Sequence, residues 1–319
     1  MKAAVVHDFN APPRYDDFAT PTAEAGETLV QVRAAALSQL VKAQASGRHY
    51  SSGKTLPLVP GVDGVGTLPD GRRVYFAFPR TLFGSMAQTS VVKLSNCVDI
   101  PDDVDDVTAA AIGNPGMSSW AALLDRAKFI PGENVLINGA TGASGRLAIQ
   151  IAKHLGASKV IATGRNAQSV QGLKALGADV VIPLNTNAEE LKATFEQAFH
   201  KHKVNVVLDY LWGPSAESLL HAAVGHDHAA GEPRIRFVQI GSLTGNNINL
   251  PGSLLRSSGL ELMGTGLGSV SHGGLVEAVG GVLRAISSAG LSIATDVVPL
   301  MQIESAWQRE GASRLVFTL

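Results

Sequence analysis

The 319-residue chain has a single cysteine, Cys97. An internal disulfide is therefore impossible, a zinc site built on several thiolates is excluded, and a reducing compartment is expected. The flanks of Cys97, Val91 to Leu94 and Val98 to Pro101, read as strand and connector, so the thiol is expected to be a packed residue and not a nucleophile. Charge is scarce and even: 26 Lys plus Arg face 27 Asp plus Glu, a net charge of -1. Without a field of one sign, neither nucleic acid nor an anionic membrane is expected as a partner, and a small molecule is. Long apolar runs are missing as well. Ala3 to Val6 is too short for the core of a secretory signal, and no stretch approaches the ~18 apolar residues of a membrane span. The carboxyl end, Phe317-Thr318-Leu319, is no known address tag, so a cytoplasmic location is expected.

What the chain has is 45% hydrophobic residues and 34 glycines, the make-up of a globular protein with many tight turns. The length suits two domains at roughly 100–200 residues each. Up to about residue 100 the pattern is of short strands: Met1 to Asp8, Leu29 to Leu37, Gly64 to Leu68, Arg73 to Phe78 and Ser85 to Leu94. Apolar residues at helical spacing then fill Val107 to Leu124. From Asn134 strands and helices alternate. Strands are expected at Val135–Asn138, Lys159–Thr163, Asp179–Ile182, Asn205–Asp209 and Arg236–Ile240. The intervening helices are expected at Ser144–Leu155, Ala167–Leu176, Ala188–His200 and Pro214–Val224. Near-continuous apolar strands in such alternation imply a parallel sheet covered on both faces. Strand Leu260–Gly264, helix Gly274–Ala289 and strands Ile293–Val298 and Arg314–Thr318 complete the chain.

The most informative stretch runs from Val135 to Gln150, in which a strand enters the turn Gly139-Ala140-Thr141-Gly142 and opens a helix at Ala143-Ser144-Gly145. Gly142 would let a pyrophosphate approach the backbone, Gly145 would let helix and strand pack closely, and the helix start supplies N–H groups and partial positive charge. Ala140 takes the first glycine place, giving A-x-G-x-x-G inside a βαβ unit. An NAD-specific site places an acidic residue at the end of the second strand, yet none occurs between Arg146 and Ala178. Arg165 stands there instead, between Gly164 and Asn166, which are expected to leave room for a 2′-phosphate on the guanidinium. NADP(H) is the expected cofactor.

With these residues the chain resembles the medium-chain dehydrogenase/reductase superfamily, specifically its zinc-free quinone oxidoreductase-like branch. The likeness runs through Pro60 to Gly66, Gly116 to Leu123, Gly132 to Ile137, Gly139 to Gly145, Gln150 to Lys153, Leu176 to Asp179, Val206 to Asp209 and Ile240 to Ser242. It implies an α/β architecture: a GroES-like β-barrel catalytic domain, residues 1–115 and 267–319, and an inserted doubly wound Rossmann domain, residues 116–266, with the active site in the cleft. A homodimer or homotetramer is implied too. Zinc-using relatives carry an early Cys, a Gly-His-Glu segment and a four-cysteine lobe. Here Ser38-Gln39-Leu40 and Val62-Asp63 stand in those places, so no metal is expected. His200-Lys201-His202 and His226-Asp227-His228 are read as solvated surface.

By the same resemblance Ser118 lies near the nicotinamide, Ile240-Gly241-Ser242 along it, and Leu262 to Gly266, with Gly264, on its far side. Thr141, Gly142, Ala143, Ser144, Gly164, Arg165 and Asn166 complete the expected cofactor contacts. The implied chemistry is hydride delivery from NADPH to a quinone or another α,β-unsaturated carbonyl. Enone or enoyl-thioester reduction is the alternative within that class. Tyr50 is the catalytic candidate, orienting the acceptor carbonyl or donating a proton; water and His49 are the other proton sources. Ser38, Val41 and Ala45 replace the family's Asn, Asp and Arg, which leaves open a different class, an NADPH-binding sensor that has lost turnover.

Overall fold

The computed structural model describes residues 1–49, 52–224, 233–309, 311 and 313–319. They form two compact units, Met1–Asn114 with Val276–Leu319, and Pro115–Leu275. In chain order the first elements are β1 (Lys2–Val5), β2 (Arg14–Asp17), β3 (Glu27–Ala36), α1 (Gln39–Ala45), β4 (Asp63–Thr67), β5 (Arg73–Ala77), β6 (Thr89–Lys93), β7 (Cys97–Asp99) and α2 (Asp106–Ala121). There follow β8 (Asn134–Asn138), α3 (Ala143–His154), β9 (Lys159–Gly164), β10 (Val180–Pro183), α4 (Ala188–His202), β11 (Val206–Asp209), α5 (Gly213–Ala222), β12 (Arg234–Gln239), α6 (Gly252–Arg256) and β13 (Gly259–Gly264). The chain closes with α7 (His272–Ala289), β14 (Thr295–Pro299), α8 (Ile303–Ala306) and β15 (Arg314–Thr318).

In the first unit the strands line up as β14-β15-β3-β4-β5-β7, with β6 also paired to β3. All these pairs are antiparallel except β14 with β15. β3 shows why: Val30, Val32 and Ala34 are buried while Gln31 and Arg33 are exposed, the period of two that gives a strand one wet face. Val30 and Val32 pack on Leu68, Val74, Phe76 and Val92. The carboxyl-terminal β15 returns to pair with β3, Val316 opposite Ala36.

The second unit holds a six-stranded sheet, β10-β9-β8-β11-β12-β13, in which every pairing is parallel. Val135, Leu136 and Ile137 of the central β8 are fully buried, each side chain stabilising the fold by about 1.5–3 kcal/mol. The strand order reverses direction between β8 and β11, the topological switch point at which open α/β sheets bind ligands. No helix among the described residues is long and apolar enough to cross a membrane.

Some expectations are corrected. The helix expected at Ala167–Leu176 is a run of turns with bonds three residues apart, Gln171 N to Gln168 O and Leu173 N to Val170 O, broken by Gly172 at φ +82. The strand expected at Ser85–Leu94 is confined to Thr89–Lys93. β2 and α1 were not expected; α1 is announced by Ser38, whose hydroxyl caps it by accepting from Val41 N at 3.1 Å.

Candidate functional site

β8 ends at Asn138 and the chain reverses at Gly139, whose φ of +90 suits only glycine. A Cβ at Gly145 would lie 2.5 Å from both Ala140 Cα and the Gly139 carbonyl oxygen, so the first turn of α3 rests directly on the loop. Gly142 is the opposite case: nothing lies within 4 Å of its Cβ position. It is the N-cap of α3, no side chain caps the helix, and its first turn carries no acid. The bond from Arg146 N to Gly142 O, 2.9 Å, opens the helix, and the amides of Ala143, Ser144 and Gly145 before it have no acceptor within the helix. Such a bare start, with space before it, is suited to an anion.

The turn is tied to the end of β9. Ala140 N donates to Thr163 O at 2.8 Å, and Gly139 N to Thr163 Oγ1 at 3.0 Å. Gly164 does not provide the room expected of it: a Cβ there would meet the Thr141 and Val170 side chains at 2.5 Å. Asn166 is committed locally, its Oδ1 accepting from Ser169 N at 2.8 Å while its own N–H donates to Ser169 Oγ. Arg165 between them is exposed and has no ion-pair partner among the described residues.

Below the turn lies a polar network that sequence reasoning missed. Thr163 Oγ1 donates to Asn138 Oδ1 at 2.8 Å, and Asn138 Nδ2 donates to Asp209 Oδ1 at 2.8 Å and to Ser215 Oγ at 3.0 Å. The Asp209 carboxylate also accepts from Leu211 N and Trp212 N, at 3.1 Å each. Burial pushes the Asp209 carboxyl above its ordinary range, against the pull of these donors. One signal was available: Asn138, Thr163 and Asp209 are polar residues at the ends of otherwise apolar strands. The network holds the ends of β8, β9 and β11 in fixed register across the switch point.

On the other side of β11, Ile240 N and Gly241 N both donate to Asp209 O, at 2.7 and 3.2 Å. Thr265 N donates to Gln239 O at 2.9 Å, and Arg126 Nε to Gly264 O at 2.8 Å. Ser242 and Gly264 thus share the lining of one cavity of about 400 Å³ with Trp212, Gln239 and Leu262. Trp212 has φ +59, an unusual conformation for a bulky residue, and Thr244 Oγ1 holds its carbonyl at 2.8 Å. Ser118 sits half-buried on α2, its Oγ donating to Pro115 O at 2.8 Å. Tyr50 lies outside the described residues. Burial holds the His49 imidazole below its ordinary range.

A family model described as "zinc-binding dehydrogenase" matches residues 143–279. A protein of Emericella nidulans described as a probable NADPH-dependent quinone reductase is 27% identical across 99% of both chains. A 2-methylene-furan-3-one reductase of Solanum lycopersicum is 30% identical over 57% of this chain and 51% of its own length. The quinone oxidoreductase of Thermus thermophilus, solved also in complex with NADPH, superimposes with a TM-score of 0.81 at 26% identity, covering all of both chains. These likenesses support the medium-chain dehydrogenase/reductase superfamily, in its quinone oxidoreductase-like branch. The first unit of the chain is the GroES-like part of that architecture and its second the Rossmann part.

The residues that stand at the places expected for zinc ligands are engaged elsewhere. Ser38 caps α1, and Asp63 has both oxygens engaged, by Tyr75 Oη at 2.6 Å and Asn114 Nδ2 at 3.2 Å. Cys97 lies on β7, its thiol pushed up to about 11 by burial, away from the thiolate a metal needs. His200 and His202 stand in the last turn of α4, while His226 to His228 lie outside the described residues. Among the described residues no three His, Cys, Asp or Glu side chains converge.

Proposed function

We propose that the chain is an NADPH-dependent reductase of quinones or activated alkenes that works without a metal. The observation that carries this reading is the bare start of α3 and, at the end of β9, an exposed Arg165 with no ion-pair partner among the described residues, in a unit with no acidic residue from Arg146 to Ala178. The amides of Ala143 to Gly145 would take the pyrophosphate, with Thr141 and Gly142 against it, and Arg165 the 2′-phosphate. Bound NADPH would supply a hydride to a carbon made electrophilic by conjugation. Ser118, the Ile240–Ser242 segment and Gly264 would position the nicotinamide, the latter two held by Asp209 O and Arg126. Hydrogen-bond donors must then polarise the acceptor, and Tyr50 or water would orient it and provide the proton. Gly164 and Asn166 would act by shaping the loop that carries Arg165.

Enone reduction is the second reading, supported by the furanone reductase and by an NADPH-dependent alkenal/one oxidoreductase of Arabidopsis thaliana, 28% identical over 62% of this chain. The proposal includes a catalytic domain of residues 1–115 and 267–319, a cofactor domain of 116–266, and a cytoplasmic homodimer or homotetramer. The open edge of β13, with a partly exposed Leu262, supports the association. The test is steady-state oxidation of NADPH with a panel of quinones and enones, before and after exhaustive chelation. Quinone turnover that survives chelation is expected. Tight NADPH binding without turnover would favour the sensor reading, and an essential stoichiometric zinc would refute the metal-free one.

A further inference from the structure

Tyr210 follows Asp209 directly, and its side chain serves neither the carboxylate network nor the cavity. The residue is only 7% exposed. Its hydroxyl is sealed from solvent and has no hydrogen-bond partner among the described residues. Burial pushes the phenol up to about 12, and the hydroxyls that act against this rise are those of Ser118 and Ser119 on α2. Both serines spend their protons along their own helix: Ser118 Oγ donates to Pro115 O at 2.8 Å and Ser119 Oγ to Gly116 O at 3.1 Å. Phenylalanine would fill the same space and leave no orphaned O–H. A buried hydroxyl without a partner calls for an explanation, and of the two serines that act on it Ser118 is half-buried and Ser119 fully buried.

The helix is irregular on both sides of Ser118. Pro115 lies inside α2, where it removes an amide donor and crowds the carbonyl four residues back. Ala122–Arg126 form a π-helical turn, a feature frequent at functional sites. The Pro115 carbonyl is thus a local acceptor that Ser118 can leave by rotating one side-chain bond.

We infer that Tyr210 is a positioning residue for Ser118. When the Ser118 hydroxyl turns from Pro115 O to donate to the carboxamide oxygen of a bound nicotinamide, the Tyr210 O–H donates to Ser118 Oγ. No proton is transferred; the phenol satisfies the oxygen and fixes the direction of its hydrogen. This rests on Ser118 facing the nicotinamide, as in the proposed function.

The test compares NADPH with 2′-phospho-ADP-ribose, which keeps every phosphate but lacks the nicotinamide ring, by calorimetric titration of the whole protein. Tyr210→Phe and Ser118→Ala should each weaken NADPH by about tenfold and leave the ring-free ligand unchanged. The double variant should bind NADPH no more weakly than Ser118→Ala alone, because the two hydroxyls act as one unit. The melting temperature of Tyr210→Phe should equal or exceed that of the parent. Unchanged NADPH affinity, equal losses for both ligands, additive losses, or a lowered melting temperature would each overturn the inference. Failure of the parent protein to bind either ligand would instead remove the functional reading on which it rests.

Discussion

Two buried aspartates, one in each unit, are held in contrasting ways. Asp209 ends β11 in the parallel sheet and is held by Asn138 Nδ2 and two main-chain amides, Leu211 N and Trp212 N. Asp63 begins β4 in the antiparallel sheet and, among the described residues, is held by side chains alone, Tyr75 and Asn114. Arg314 on β15 adds an attraction without bonding: its Nε and Nη2 find no partner among the described residues. Burial raises both carboxyls, Asp63 to about 6. The difference teaches that Asp209 is built into the backbone path at the switch point, where it shapes a loop. Asp63 is a polar insertion that a packed sheet tolerates.

The sharpest way to break this contrast is Asp209→Ala. Removing the carboxylate leaves one side-chain and two main-chain donors unsatisfied, and denaturant unfolding should show a loss on the order of 3–5 kcal/mol. Asp209→Asn, which retains an acceptor, should lose less. Equal stability of Asp209→Ala and the parent would show that the loop does not depend on the carboxylate.

Asp63 should announce itself through pH. Its folded value, about 6, lies above the ordinary 3.8, so the native state holds this proton more tightly than the unfolded chain. The stability it contributes is full below about pH 4 and is lost as pH rises through about 6, a swing of up to about 3 kcal/mol. Asp63→Asn cannot titrate. The difference in unfolding free energy between variant and parent should therefore shift in favour of the variant across that window and be flat above it. Parallel curves from pH 4 to about 7 would place the proton elsewhere.

The legibility of the two units follows the same division. Alternation of apolar strands with helices, and Gly142 and Gly145 at fixed spacing, depend on neighbours in sequence; the parallel sheet and its turn were readable from them. β15 was readable as a strand too. Ala167–Leu176 departs from the expected helix because Gly172 and the Asn166–Ser169 bonds hold turns. α1 is short, and Ser38 is its only local signal, a capping serine that is common outside helices too. The cluster around Asp63 draws on positions 75, 114 and 314, and no local pattern announces it. Tyr210 escaped for a similar reason: only the fold brings it to Ser118 and Ser119.

The smallest change with the most direct bearing is at Arg165, the one guanidinium beside the bare helix start that is exposed and unpaired among the described residues. Binding of NADPH and NADH to the parent and to Arg165→Ala should be measured by titration. The parent should prefer NADPH, and the variant should lose at least about tenfold in NADPH affinity with little change for NADH, since only NADPH carries the additional phosphate. Equal losses for both coenzymes, or no preference in the parent, would contradict this expectation.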